Sequence, residues 1–292
     1  MSTQQPATPT PLERAALDIS SLKATMKDLG MGELHVSSST GSTNDDLVQR
    51  SKSGTLAHLS VESTEHQQAG HGRLGRGWET PARSSLAISI FFSPPRNFDA
   101  AGLPWLSMLC ATAMVQTIKE ETGIGAGIKW PNDVVAQGTK LCGVLAQLVP
   151  TPDGFGVIVG AGLNVHQHQS ELPVSTASSL DLLSATSTNR TGIFAGYLQR
   201  VCALFGQFSA VNGNANTPLV GGSESLRALV ANNMISLGHV VDAHLPDGKI
   251  LTGTATDLGE DGSLILRTAT GEIHNVLAGD VFHLRRNDGN YA

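Results

Sequence analysis

The sequence is low in charge and free of long apolar segments. Charged residues make up 15% of the chain, beside 32 glycines, a composition that favours a loop-rich α/β or α+β protein over a helical bundle. No segment reaches the roughly 18 consecutive apolar residues that a membrane-spanning helix needs. The first residues also lack the basic and apolar regions of a secretory signal. We therefore expect a cytoplasmic protein that has no membrane partner.

Two further features narrow the class of protein and its possible partners. The formal net charge of −6 argues against a DNA or RNA partner, which calls for a basic face on the protein. The sequence has only three cysteines, Cys110, Cys142 and Cys202, which are far apart and lie in apolar surroundings. An odd number of widely spaced cysteines is typical of free thiols in a reducing compartment.

The chain of 292 residues is long enough for one large domain and one small one. We divide it into an N-terminal tail (residues 1–30), a main domain (31–225) and a C-terminal module (232–290). Met1–Pro11 is polar and proline-rich, so we expect it to be disordered, and Leu12–Leu29 suits one short helix. A single helix is too little for a DNA-binding winged helix, so we expect neither DNA binding nor a repressor role.

Three helices stand out in the main domain. Thr43 is a plausible N-cap, with Gly54 beyond the end of its helix. Pro104 begins a helix with apolar residues at every fourth position, and Gly123 ends it. Phe194–Phe208 shows the apolar spacing of an amphipathic helix.

The strand patterns of the main domain predict a mixed or antiparallel sheet. Ser85–Phe92 is a continuous apolar segment that suits a buried strand. Four more strands follow one another without an intervening helix, which is typical of such a sheet. They are Gly127–Trp130, Asp133–Ala136, Lys140–Val149 and Phe155–Leu163, the last two joined by a turn at Pro152-Asp153-Gly154.

The sequence pattern changes in the C-terminal part of the chain. Val211–Ser225 has the composition of a linker. Beyond Met234, five short alternating segments are separated by turn sequences such as Pro246-Asp247-Gly248, which predicts a small β-barrel of about 55–60 residues. The segments are His239–Leu245, Lys249–Leu258, Ser263–Arg267, Glu272–Val276 and Asp280–Leu284.

The stretch Glu65–Trp78 carries the first chemical signal, with four glycines and two arginines between Gly70 and Trp78. Backbone N–H groups in such a loop bind anions, and arginine matches carboxylate or phosphate. The ordinary alternative is a hairpin with solvated arginines. Gly70-x-Gly72-x-x-Gly75 satisfies the dinucleotide fingerprint, but no crossover helix follows, and no Walker A sequence is present.

Two polar clusters could join this loop. Lys129-Trp130-Pro131-Asn132-Asp133 presents a lysine, an amide and a carboxylate at a strand end, which suits metal–phosphate positioning or an ordinary β-turn. Ser42-Thr43-Asn44 can cap a helix, contact a polar ligand, or do both. His166 and His168 could share a metal, although no third ligand is in sight, and a polar loop edge is the ordinary reading. Trp78 and Trp130 suit either adenine stacking or, more readily, the core.

The order of these motifs resembles the biotin–protein ligases from about Leu34 onward. The motifs are Ser42-Thr43-Asn44, Gln67–Trp78, Lys129–Asp133, Lys140-Leu-Cys-Gly-Val-Leu145 and Gly160-Ala-Gly-Leu-Asn-Val165. The resemblance implies an α+β catalytic domain like that of class II aminoacyl-tRNA synthetases, a mixed sheet with flanking helices, followed by an SH3-like barrel. It implies an ATP- and Mg²⁺-dependent ligase that makes biotinyl-5′-AMP. That ligase passes biotin to a lysine of the biotin carboxyl carrier domain of an acyl-CoA or pyruvate carboxylase.

The resemblance also implies roles for individual residues. Lys129 and Arg73 would be catalytic, and Asp133 would help to hold Mg²⁺. The biotin-binding residues would be Ser42, Thr43, Asn44, Gln67, Gly70, His71, Gly72, Arg73, Lys129, Lys140, Gly143, Gly160 and Gly162. The ATP-binding residues would be Arg73, Arg76, Trp78, Lys129, Asn132, Asp133 and Asn164.

The chain departs from the family pattern at two positions. His71 stands where the family usually has arginine, and Cys142 replaces a small residue and should pack passively. Two alternative functions remain open. A lipoate or octanoyl ligase shares the catalytic fold, and a non-enzymatic glycine-rich binding protein would explain the loop alone.

Overall fold

The computed structural model describes residues 14–52, 56–151, 154–245, 247–281 and 283–286. The helices are α1 (Ile19–Asp28), α2 (Thr43–Ser51), α3 (Trp105–Thr122), α4 (Arg190–Ala210) and α5 (Leu226–Asn232). The first nine strands are β1 (Leu34–Ser37), β2 (Val61–Thr64), β3 (Gly70–His71), β4 (Gly77–Trp78), β5 (Ser85–Phe92), β6 (Gly127–Lys129), β7 (Asp133–Ala136), β8 (Thr139–Thr151) and β9 (Gly154–Asn164). The remaining strands are β10 (Val240–His244), β11 (Ile250–Leu258), β12 (Leu264–Arg267), β13 (Ile273–Val276) and β14 (His283–Arg286). Over these ranges, no helix combines the length and the apolar character needed to cross a bilayer.

The main sheet has seven strands in the order β1-β2-β5-β9-β8-β7-β6. Its β1–β2 pair is parallel and the other pairs are antiparallel, so the predicted mixed sheet is confirmed. Side chains on β5 alternate between two apolar clusters. Ile88 and Ile90 face the large core with α3 and α4, whereas Phe91 packs with Leu47 of α2. The sheet is therefore covered by helices on both faces.

Helix ends follow the expected capping chemistry with two corrections. Gly123 ends α3 in the left-handed conformation, as predicted. The side chain of Ser42, rather than that of Thr43, caps α2 by accepting a hydrogen bond from the Asp45 backbone. Helix α1 begins at Ile19 behind an Asp18 cap, later than the predicted start at Leu12. Met1–Pro11, Leu12, Gly54, Pro152-Asp153 and Pro246 lie outside the described residues.

Residues 14–30 pack on the main domain, although the sequence assigned them to a tail. Leu17, Leu22 and Met26 are buried in the large core, and α1 contacts α4 and β1. The apolar positions at Leu22 and Met26 lie one helical turn apart and so share one face of the helix. This segment therefore contributes to the core of the main domain.

Replacing Leu22 by alanine tests that packing. Because Leu22 is fully buried, we expect the variant to lose about 2–5 kcal/mol of unfolding free energy through lost transfer energy and a residual cavity. Ile19→Ala is the matched control on the same helix, since Ile19 is 39% exposed, and it should change stability by about 0.5 kcal/mol or less. Denaturant unfolding of both variants checks this expectation, and equal small losses would contradict it.

The segment predicted to be a linker is ordered against the core. Ala215 and Leu219 are buried, and Pro218 forms a β-bridge with Ser225. Helix α5 follows at once, capped by Ser225. Its seven residues are too few for periodicity to show, which is why the sequence did not indicate it.

The C-terminal module is a five-stranded antiparallel sheet in the order β13-β12-β11-β10-β14. Four predicted strands are confirmed to within one residue at each end, whereas the fifth, predicted over Asp280–Leu284, runs over His283–Arg286 after a 3-10 turn at Ala278–Asp280. Two buried tryptophans of the main domain attach it. The indole N–H of Trp105 donates to the Glu260 carbonyl at 2.8 Å, and that of Trp130 donates to the Gly262 carbonyl at 3.1 Å. Both tryptophans therefore serve packing between the two parts of the chain.

Candidate active site

A cavity of about 670 Å³ lies on one face of the main sheet, next to the start of α2. Its walls come from the start of α2, the glycine-rich stretch, strands β8 and β9, residues 171–177 and strand β14. Of the residues predicted to bind biotin or ATP, Gly70 alone does not line it. Distant parts of the chain thus meet around a single space.

Gly70 lies behind the cavity wall and has a steric role. A Cβ atom there would overlap the Gln67 side chain and the Trp78 carbonyl oxygen. Residues Gly70–His71 and Gly77–Trp78 pair as a short hairpin. The glycine therefore allows the two ends of the loop to approach closely.

The start of α2 forms a buried hydrogen-bond network beside the cavity. Gln67 Oε1 accepts from the Thr43 backbone at 3.1 Å and from the Thr43 hydroxyl at 3.2 Å. Ser89 Oγ donates to Asn44 Oδ1 at 2.6 Å. These groups hold one another in fixed positions, so a ligand here meets a preset array of donors and acceptors.

Gly160 and Gly162 make room for side chains of the protein. A Cβ at Gly162 would lie 2.7 Å from the Trp78 indole, and one at Gly160 would overlap the Asn44 amide. In this structure Trp78 and Asn44 pack against these two glycines, which also line the cavity. Close approach of a ligand to this backbone stays a prediction. Trp78 also lines the cavity, and its buried indole nitrogen has no hydrogen-bond partner among the described residues.

Lys129 is a buried cation of the cavity, and its pKa is strongly lowered. It is 7% exposed, and burial lowers its pKa to about 8, with Asp133 opposing that shift and Lys140 and Arg285 adding to it. Asp133 Oδ1 lies 2.6 Å from Lys140 Nζ. The two neighbouring cations therefore share the influence of one carboxylate.

The charged lining has an excess of cations in a chain that is acidic as a whole. Five cations line the cavity against three carboxylates. The cations are Arg73, Arg76, Lys129, Lys140 and Arg285, and the carboxylates are Asp133, Glu79 and Glu171. A concave surface of this kind concentrates anions.

Arg73 points toward the C-terminal module. Its Nη2 donates to the carbonyl oxygens of Ala278 and of Val281, the latter at 3.0 Å. Burial lowers its pKa, and the nearby Asp133 opposes that shift. The arginine thus joins the glycine-rich loop to the C-terminal module while still lining the cavity.

His71 makes a contact that its sequence position did not indicate. Its Nε2 lies 3.0 Å from Asp45 Oδ2 in the first turn of α2, and both side chains are about half exposed. The loop is therefore attached on one side to α2 and on the other to the C-terminal module.

Several predicted ligand residues already have partners within the protein. The Asn132 amide donates to the Val144 carbonyl at 2.6 Å. The Asn164 amide donates to the Ser178 carbonyl and accepts from Gln167. These side chains brace the walls, and their contact with a ligand stays a prediction.

Sequence reasoning missed two parts of the wall. Arg285 of β14 reaches the cavity from a strand that was predicted to end at Leu284. Residues Glu171–Val174, for which the sequence supplied no prediction, form a second wall. No local pattern indicates either one, because both depend on how distant segments pack.

The described residues contain no group of three or more side chains that could enclose a metal. His166 Nδ1 lies 2.9 Å from Asp181 Oδ2, and His168 lies in the loop that Glu171 braces. Asp133 supplies one carboxylate among the cations. Mg²⁺ commonly takes one or two carboxylates together with phosphate oxygens and waters, so this donor set fits a metal that arrives with a nucleotide.

Cys110 and Cys142 are buried and free. Burial raises the pKa of each thiol to about 12. Both are therefore protonated, apolar-like side chains, as predicted for Cys142.

Comparison with known proteins decides the family. Residues 36–164 match the Biotin/lipoate A/B protein ligase family, and residues 237–284 match the Biotin protein ligase C terminal domain. The biotin--[acetyl-CoA-carboxylase] ligase of Mycobacterium tuberculosis is 34% identical over 277 residues, which cover 93% of this chain and 97% of that protein. The chain belongs to the biotin protein ligase family.

Two further biotin protein ligase relatives are similar over most of the chain. The bifunctional ligase/repressor BirA of Bacillus subtilis is 28% identical over 84% of this chain and 71% of that protein. The structure of a biotin protein ligase from Aquifex aeolicus in complex with biotin and ATP matches with a TM-score of 0.69 and 26% identity, over 87% of this chain and 99% of that one. The family and the fold class predicted from the sequence are both confirmed.

Proposed function

We propose that this chain is an ATP-dependent biotin–protein ligase. It activates biotin as biotinyl-5′-AMP and then transfers biotin to a lysine of a carrier domain. The observation that carries the proposal is one cavity that combines a fixed hydrogen-bonding array at α2 with five cations, Lys129 among them. A neutral ureido ring and a triphosphate need these two environments side by side.

The first step joins two anions. A carboxylate oxygen of biotin attacks the α-phosphorus of ATP, the bond to the β-phosphate breaks, and pyrophosphate leaves. In this proposal Lys129 contacts both the carboxylate and the phosphate and stabilises the charge that builds up between them. Arg73, Arg76 and Arg285 stabilise the remaining phosphate charge.

The second step transfers the acyl group. The neutral amine of the acceptor lysine attacks the acyl carbon, the bond from that carbon to the phosphate oxygen breaks, and AMP leaves. The former ammonium group gives up two protons in total. No covalent enzyme intermediate is required, so the site needs to hold the adenylate and exclude water.

The residues divide between the two ligands. Ser42, Thr43, Asn44 and Gln67 hold the ureido end of biotin, with Gly72, His71 and the backbone around Gly143, Gly160 and Gly162 forming the surrounding wall. Lys140 and Lys129 meet the carboxylate. Trp78, Asn132 and Asn164 border the nucleotide. Asp133 would hold Mg²⁺, which would neutralise phosphate charge when bound.

The partner is proposed from the same chemistry. The acceptor is the biotin carboxyl carrier domain of an acyl-CoA or pyruvate carboxylase. The cytoplasm, which supplies ATP and keeps thiols reduced, is the proposed location. We also propose that the catalytic domain includes residues 14–30, because these residues are part of its core.

ATP–pyrophosphate exchange tests the proposal with three acids compared in parallel. We expect exchange with biotin and little exchange with lipoate or octanoate. We also expect biotinylation of a purified carrier domain. Exchange supported by lipoate or octanoate would favour a lipoate-type ligase of the same fold. Binding of biotin without any exchange would identify a binding protein.

The pKa of Lys129 gives an expected pH profile for adenylate formation. The folded pKa of about 8 means that the lysine is charged below that pH and loses its charge above it. We therefore expect kcat/KM for biotin in the exchange reaction to fall about tenfold per pH unit above that value. In Lys129→Arg, whatever activity remains should not show this fall, because arginine stays charged. A flat wild-type profile up to about pH 9.5 would contradict the assignment.

A further inference from the structure

The segment that precedes α1 lies across the base of the glycine-rich loop. We call residues Arg14–Asp18 the N-terminal strap. The Leu17 backbone donates to Glu65 Oε1 at 2.7 Å, at the first residue of the glycine-rich stretch. Arg190 donates to the Ala15 carbonyl at 3.3 Å, and the Asp18 backbone donates to the Thr191 hydroxyl at 3.0 Å. The strap is therefore fixed at several points along its length.

Arg14 extends from this strap into the protein. It is 5% exposed, and its guanidinium donates to Glu171 Oε2 at 2.7 Å, to the His166 carbonyl at 3.1 Å and to the Ala82 carbonyl at 3.5 Å. One rigid, planar group thus joins two segments that are far apart in the chain. Lysine could not reproduce this fork of donors.

The acceptors of Arg14 belong to the wall of the cavity and to the root of the loop. Glu171 lines the cavity, and its Oε2 also accepts from the His168 backbone at 2.9 Å. Ala82 precedes Arg83, whose backbone donates to the Glu65 carbonyl at 2.7 Å. The position of Arg14 therefore bears on the loop base and on the wall Glu171–Val174 together.

The chain that continues from that wall bonds to both sides of the cavity, to Lys140 on the biotin side and to Asn164 on the side assigned to ATP. The Lys140 backbone donates to the Thr176 carbonyl at 2.8 Å, and the Asn164 amide donates to the Ser178 carbonyl at 2.9 Å. A displacement of the wall would alter the space next to the cation cluster.

A purely stabilising ion pair is the simpler explanation of Arg14. Burying two charges carries a desolvation penalty that commonly cancels the attraction between them, so the pair is weak support for stability alone. The three contacts of Arg14 fix the position of the wall Glu171–Val174 relative to the glycine-rich loop.

We propose that Arg14 is a positioning residue for nucleotide binding, acting through Glu171 on the wall Glu171–Val174. This inference rests on the proposed ligase function. It gives the N-terminal strap a role in the reaction, in contrast to the sequence-based reading of a tail. Arg14 itself does not line the cavity.

Steady-state exchange kinetics of Arg14→Gln, with thermal unfolding in parallel, test the proposal. We expect the KM for ATP to rise about tenfold while kcat changes less than about twofold. Arg14→Lys should keep the charge and recover only part of the effect. Lys23→Gln is the matched control, since it removes one positive charge from an exposed position on α1, and its KM should equal that of the wild type.

A double-mutant cycle with Glu171→Gln shows whether Arg14 acts through its partner. If it does, the double variant should resemble either single variant, because interacting residues are not additive. Additive effects, or an unchanged KM for ATP in folded Arg14→Gln, would overturn the proposal. Should Arg14→Gln fail to fold, Arg14→Lys and Glu171→Gln decide by the same criterion.

Calorimetric ATP binding separates this proposal from the function on which it rests. A wild-type protein without biotin-dependent exchange would remove the ligase function. The dissociation constant for ATP would still show whether Arg14→Gln weakens nucleotide binding about tenfold. Equal constants in the wild type and Arg14→Gln would overturn the positioning role by themselves.

Discussion

Lys129→Ala should abolish biotinyl-adenylate formation and leave the protein folded. Lys129 lies within a cluster that includes Lys140, Arg285 and Asp133, and in the proposed mechanism a carboxylate approaches a phosphate beside it. Without its charge, the two anions repel each other and the transition state loses its central cation. We expect the exchange rate to fall by about a thousandfold or more.

The fold should tolerate this change. Lys129 is buried at an energetic cost, as its lowered pKa shows, and Asp133 keeps its ion pair with Lys140. Circular dichroism and thermal unfolding check the fold, and pyrophosphate exchange checks the activity. Lys249→Ala is the control, because Lys249 is 79% exposed in the C-terminal module. Near-normal exchange by folded Lys129→Ala would refute the catalytic assignment.

Arg73→Gly should release biotinyl-5′-AMP from the site before transfer. Arg73 joins the loop to the Ala278 and Val281 carbonyls of the C-terminal module. A hydrogen bond from a charged donor contributes about 1.5–3 kcal/mol, so losing the equivalent of one such bond should speed adenylate dissociation by about 10- to 100-fold. The freed adenylate should then biotinylate bystander proteins.

The half-life of the enzyme-bound adenylate on gel filtration, with serum albumin as a bystander, measures this release. Leu74→Gly is the matched control, because Leu74 lies on the same loop and is 51% exposed. That control should keep its adenylate and its selectivity for the carrier domain. If Arg73→Gly retains the adenylate as long as the wild type, the contact with the C-terminal module does not hold the loop closed.

Local patterns in the sequence predicted the family and most of the helices and strands. Ser85–Phe92 and the end of α3 at Gly123 agree with the structure to the residue, because an unbroken apolar segment and a left-handed glycine are strong local signals. The motifs around Gln67, Arg73 and Lys129 identified the family, since spacing and residue type are properties of the chain alone. Short α5 and the start of α1 were misread, because local propensity is weak there and packing decides the outcome.

The arrangement of these residues around the cavity depends on the tertiary structure. It placed Arg285 and the wall Glu171–Val174 at the cavity, directed Arg73 toward Ala278 and Val281, and fixed Arg14 against Glu171. Each of these contacts joins residues that are distant along the chain. Such contacts form because burial of the shared core brings their segments together. Local sequence encodes what a side chain can do, whereas the fold decides which partner it meets.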